Sequence, residues 1–214
     1  MTRLVASPGV GRALARLRAF TAAEAAPARA ERCDICGVPL PGEHRHLLER
    51  AASRLRCACV GCAITAGGRA DDRFRAVEPR CERLAGASPS DARWQALGIP
   101  IGLAFLQRVG DGAEVIARYP SPAGLVRSPV DPEAWSALVA DYPALDPLQP
   151  EVEALLVRRL HGARDHYLVS IDECFRLGGI LRRGWRGLGG GDVWAEVDRF
   201  FAQLRSRADG ARRA

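Results

Sequence analysis

Two Cys-x-x-Cys pairs, Cys33-Asp34-Ile35-Cys36 and Cys59-Val60-Gly61-Cys62, flank residues 37–58. Nothing else in this sequence limits the fold as sharply. Two residues between thiolates let one tight turn aim both sulfurs at one ion, and two such turns supply the four thiolates that close a tetrahedron around zinc. Gly37 follows the first pair and permits the left-handed backbone such a turn often needs. Between the pairs, segments 44–49 and 54–58 are expected to form the two strands of a ribbon.

The stretch holds more donors than one ion needs. Cys57 lies two residues from Cys59, and His44 and His46 share a strand face by the same period of two. The plain reading is a small buried thiol and two imidazoles that are exposed or hydrogen-bonded to the site. The alternatives are that one of the three replaces a thiolate, or that they bind a second ion. Zinc is the expected ion for Cys33, Cys36, Cys59 and Cys62, and a rubredoxin-like single iron is the alternative. A site filled by four protein ligands is structural, with no water left to activate.

The other chemistry-bearing residues carry less. Cys81 and Cys174 stand alone, and nothing in the sequence sets His161 or His166 beside either thiol. The glycine-rich stretch 184–191 lacks the Lys-Ser/Thr ending of a phosphate loop. No catalytic residue is assigned, and a non-enzymatic role is expected. Trp185 and Arg186, inside that stretch, are the residue types that anchor interfaces and are candidates for partner binding.

The seven cysteines are odd in number and crowded, which points to metal rather than disulfides and to a reducing compartment. No apolar run is long enough to span a membrane, and no secretory signal opens the chain. A cytoplasmic protein is therefore expected. All 31 basic residues are arginine, and the net charge is +6. The absence of lysine and asparagine reads as GC-rich codon usage rather than as a binding surface. The charge fits an acidic partner or nucleic acid, but no Phe, Trp or Tyr between Glu31 and Arg73 is available to stack on bases.

A chain of 214 residues can bury a core beyond the cysteine module. The expected organisation is an N-terminal helix or arm (1–30), a zinc-ribbon-like module (31–68), an α+β domain (69–207) and a basic tail (208–214). The fold class is α+β: the small module, then an antiparallel sheet packed with two or three helices. Segment 74–77 is a strand within a polar connector. Segments 99–109 and 113–120 form a hairpin around Gly110-Asp111-Gly112. Segment 131–142 is a helix with Asp131 as N-cap and Pro132 at its first position. Segment 151–160 fits helix or strand, and 166–171 is a strand. Two helices follow. The first has capping-box spacing in Ser170 and Glu173. The last carries the stripe Val193, Trp194, Val197, Phe200, Phe201 and Leu204, with Trp194 expected in the core.

The stretches CDICGVPLPGEHRHLLE, CACVGCAI, IPIGLAF, YPSPAG, EALLVRRL, YLVSIDECFRL and WRGLGGGDVWAEVDRFFAQL resemble an uncharacterised bacterial family, mostly from high-GC Gram-positive organisms. Its genes often lie in NiFe-hydrogenase gene clusters. The resemblance covers residues 31–204. It implies a role accessory to hydrogenase expression, maturation or electron transfer, with a hydrogenase subunit or maturation factor as the candidate protein partner. An iron electron carrier and a nucleic-acid-binding regulator are the competing classes.

Overall fold

The computed structural model describes residues 31–68, 73–84, 86, 88–121, 124–184 and 191–211. The expected N-terminal helix, Trp185 and Arg186 lie outside the described residues.

Strands β1 (Arg45–Glu49) and β2 (Arg54–Ala58) form the expected antiparallel ribbon, and β3 (Phe74–Val77) adds to the free edge of β1. Helix α1 (Val60–Gly67) follows β2 directly. The chain then crosses to a six-stranded antiparallel sheet in the order β4-β9-β8-β5-β6-β7. Its strands are β4 (Cys81–Arg83), β5 (Leu103–Val109), β6 (Glu114–Ser121), β7 (Gly124–Pro129), β8 (Glu153–Arg158) and β9 (Asp165–Ser170). Helices α2 (Asp91–Ala96) and α3 (Pro132–Asp141) cover one face, and α4 (Ile171–Gly184) and α5 (Gly191–Ala211) cover the other. The architecture is α+β.

Local chemistry explains most boundaries. Asp131 accepts the Ala134 N–H at 2.9 Å and opens α3 with Pro132 behind it. The β5–β6 turn uses φ of 61° at Gly110 and 92° at Gly112, while Asp111 accepts the Ala113 N–H at 3.0 Å. The six-residue α2, absent from the sequence reading, is capped by Ser90, whose hydroxyl accepts the Arg93 N–H. Glu173 does not serve as the far arm of a capping box. Its N–H goes to Asp172, and its carboxylate pairs with Arg176 at 2.7 Å and Arg207 at 2.6 Å. Two charged partners on the helical face outbid the one backbone N–H that a capping box would offer.

Side chains of the central strands alternate between two cores. In β8, Ala154 and Leu156 face α4 and α5, while Leu155 and Val157 face α2 and α3. Phe105 and Leu106 divide the same way in β5. A strand buried on both faces has no polar side to show, and this is why 151–160 carried no period of two. The smaller sheet is also two-faced. Leu47 points to the cysteine module's own cluster with Cys33, Ala58 and Ala63, whereas Leu48 and Val77 join the larger core. Arg50 and Glu151 add a 2.7 Å ion pair between the two sheets.

Val193, Val197, Phe200, Phe201 and Leu204 of α5 are buried as expected, and Ala208 extends the buried stripe. Trp194 is the exception. It sits at the stripe's edge, only partly buried, with its ring edge-on to His161 at 5.7 Å. The stripe is centred on Val197, Phe201 and Leu204, and Trp194 lies to one side of that line. Arg205 and Arg207 of α5 pair with Asp165 and Glu173.

His166 on β9 is 4% exposed, and its Nε2 has no hydrogen-bond partner. Burial, and then the nearby Arg159 charge, lower its imidazole from 6.5 to about 4. The unfolded chain therefore takes up this proton well before the folded one. The stability contributed by a neutral His166 is complete above pH 6.5 and is lost as the pH falls toward 4. The loss amounts to about 3 kcal/mol. Acid unfolding of His166→Gln should flatten over that window relative to the natural chain, and an unchanged slope would refute the assignment.

Candidate metal centre

The first cysteine pair lies in a tight turn. The Gly37 N–H donates to the Cys33 carbonyl at 2.8 Å, the Cys33 N–H donates to that of Val38 at 2.9 Å, and Gly37 takes the left-handed φ of 76°. Asp34 clamps this turn to the end of β2. Its N–H donates to the Cys57 carbonyl and its carboxylate accepts the Cys57 N–H, both at 2.8 Å. The second pair stands on α1 rather than in a second free turn. Cys59 is the N-cap, and its sulfur accepts the Cys62 N–H at 3.4 Å. Helix geometry fixes Cys62 one turn above the cap. The ribbon thus places the turn beside the start of a helix, and the four sulfurs meet there.

All four sulfurs lie within 4.8 Å of one another, with those of Cys36 and Cys59 at 3.8 Å. A tetrahedral ion with bonds of about 2.3 Å sets its sulfurs about 3.8 Å apart. The cluster can hold a metal ion. Electrostatics point the same way. Burial would raise the Cys33 thiol, but backbone N–H groups of Cys59, Cys36 and Ile35 outweigh it and bring it down to about 6. Hydrogen bonding with Cys36 and Cys59, then burial and the Cys33 charge, push Cys62 up to about 12. Four thiols this close cannot all ionise without a cation between them.

Cys57, His44 and His46 do not enter this tetrahedron. They gather on the other side of β2 into a group of their own, one donor atom from each, all within 4.8 Å of one another. The register that sets His46 opposite Cys57 brings them together. His46 reaches across to the larger domain, where its Nδ1 is 3.1 Å from Asp172 at the start of α4. Burial would raise the Asp172 carboxyl, but hydrogen bonds from His46 and Ser170 hold it below the usual carboxylate range. No sequence signal links residues 46 and 172.

Cys81 donates to the Leu204 carbonyl at 3.4 Å, and burial raises its thiol. Cys174 is 1% exposed and burial pushes its thiol well up, the setting of an inert core cysteine. His161 packs on Trp194. Four arginines around the module are engaged by carboxylates: Arg45 with Glu78, Arg50 with Glu151, and Arg56 and Arg73 with Glu49.

Among the described residues, four of the five exposed large hydrophobic side chains lie on the module. Ile35 and Val38 on the turn and Val60 and Ile64 on α1 are exposed, at 43%, 44%, 63% and 70%. Beside them a cleft of about 390 Å³ is lined by Pro39, Leu40, Pro41, Val60, Pro79 and His44 among others. No described helix is long and apolar enough to cross a membrane.

A family described as being of unknown function, DUF5947, matches residues 32–208. No curated protein and no solved structure matches the chain.

Proposed function

This chain belongs to the DUF5947 family of unknown function, and we propose that it is a non-enzymatic accessory protein whose zinc module docks another protein. The observation that carries this reading is the placement of exposed apolar side chains. Ile35 rides on the turn of the first cysteine pair and Val60 on the start of α1 that carries the second, with Val38 and Ile64 farther along the same two segments. Water-exposed apolar residues gathered on one small module, next to an apolar cleft, are the signature of a contact surface. The metal's part is structural: it locks the two turns and so fixes the spacing of these side chains. The partner implied by the resemblance is a NiFe-hydrogenase subunit or maturation factor. The ion pairs of Arg45, Arg50, Arg56 and Arg73 argue against a free basic face for nucleic acid.

Val60→Asp combined with Ile64→Asp tests the surface. Both side chains point to solvent; the natural chain purified from its host should retain a hydrogenase-related protein, and the variant should lose it while keeping its metal and its fold. Retained binding would refute docking through this face. Deleting the gene should impair hydrogenase activity or subunit processing, and normal values of both would remove the hydrogenase setting. Four thiolates also suit a single iron. A red protein with one iron per chain would move the electron-carrier reading ahead.

A further inference from the structure

We propose that His44, His46 and Cys57 form a second metal site, separate from the four-cysteine centre, that binds a borderline transition-metal ion, zinc foremost, and leaves one coordination position for an exchangeable ligand.

The ring nitrogens identify the donor atoms. His44 Nδ1 lies 3.0 Å from the Pro41 carbonyl oxygen, which can only accept, so Nδ1 carries the proton. The lone pair is then on Nε2. That atom is buried and has no hydrogen-bond partner. The His44 side chain is 6% exposed, so water does not compensate it. A buried polar atom left unpaired costs about 1–3 kcal/mol, and a metal ion against the lone pair removes that cost. His46 shows the same logic. Its Nδ1 is 3.1 Å from the Asp172 carboxylate, which makes Nδ1 the donor and frees Nε2. A carboxylate or carbonyl on the far nitrogen is the arrangement that orients metal-bound imidazoles and raises their basicity. Here both histidines have one. Cys57 supplies the third donor within the same 4.8 Å.

The donor set decides the class of ion. Two imidazoles and a thiolate favour zinc, cobalt, nickel or copper over magnesium and calcium. Among the described residues the group has three donors, one fewer than closes a structural zinc site. Three protein ligands with a fourth from outside the chain is the coordination of ion sites that exchange ligands. Asp172 acts as a positioning residue and ties this site to α4 of the larger domain, so occupancy at the site bears on how the module sits against that domain. This inference goes beyond the docking reading and does not rest on it.

The test is cobalt loading of the full chain, followed by desalting and elemental analysis. The natural protein should hold a second molar equivalent of metal. The triple variant His44→Gln, His46→Gln, Cys57→Ser should lose that equivalent and keep the first. In Cys57→Ser alone, the part of the sulfur-to-cobalt absorption due to this site should vanish while that of the four-cysteine centre stays. Asp172→Asn keeps every donor and should weaken the second equivalent about 10- to 100-fold without touching the first. A single equivalent in the natural protein under excess cobalt overturns the proposal. So does a second equivalent that survives in the triple variant or is indifferent to Asp172→Asn. Loss of partner binding in the Val60/Ile64 variant with both equivalents intact would bear on docking alone.

Discussion

Cys33→Ser should strip the ion from the four-cysteine centre and melt the turn at 33–38 and the first turns of α1. A serine hydroxyl is a poor zinc ligand at neutral pH, and Cys33 is the most buried of the four at 3% exposure. Metal binding at structural thiolate sites is worth about 10–16 kcal/mol in small zinc-dependent folds. Apart from hydrogen bonds within residues 31–40 themselves, what ties the turn to the ribbon is the pair of Asp34 bonds to Cys57. The loss should stop short of the whole module. Leu48 of β1 and Val77 of β3 are part of the larger core and keep their strands in place. Hydrogen exchange should therefore rise at 33–38 and 59–68 and stay low across β5, β8 and β9. Elemental analysis of the same sample gives the metal. Full protection at 33–38 with no metal bound would show that the centre is not structural.

Phe201→Ala should be the most damaging single truncation in the larger domain, at about 3–5 kcal/mol. Phe201 has no exposed surface. Its ring meets Phe200 at 5.4 Å and Tyr167 at 6.3 Å between centroids, and the Arg158 guanidinium lies 4.4 Å above it. Arg158 is itself held at 2.8 Å by Asp165 and 2.6 Å by Asp198. Removing the ring leaves a cavity between α5 and the sheet and takes the apolar floor from beneath a buried ion pair. Urea unfolding should show a lower midpoint with an unchanged slope. Trp194→Ala, on the same helix but only partly buried, should cost distinctly less. Equal costs would mean that the centre of the stripe has been misplaced.

The two helices that close the chain, the hairpin around Gly110 and Gly112, and the capped helix after Asp131 were all legible because each is set by short-range chemistry: a period, a cap, a turn residue. The four cysteines were legible for the same reason, since thiolate spacing is a local constraint. Helix α1 was not. Its cap is Cys59, a residue read first as a ligand, and its eight residues are too few to show a period. Strand β8 was ambiguous because it is buried on both faces, a property of the neighbours rather than of the strand.

The sequence by itself determined which side chains could bind metal, since donor type and spacing are written in it. Only the tertiary structure decided how those donors divide. The β1–β2 register sets His46 opposite Cys57 and keeps both away from the tetrahedron, and the packing of β1 on the larger core brings Asp172 to His46 from 126 residues away. Strand pairing and packing act between residues distant in the chain, and a spacing rule has no access to either.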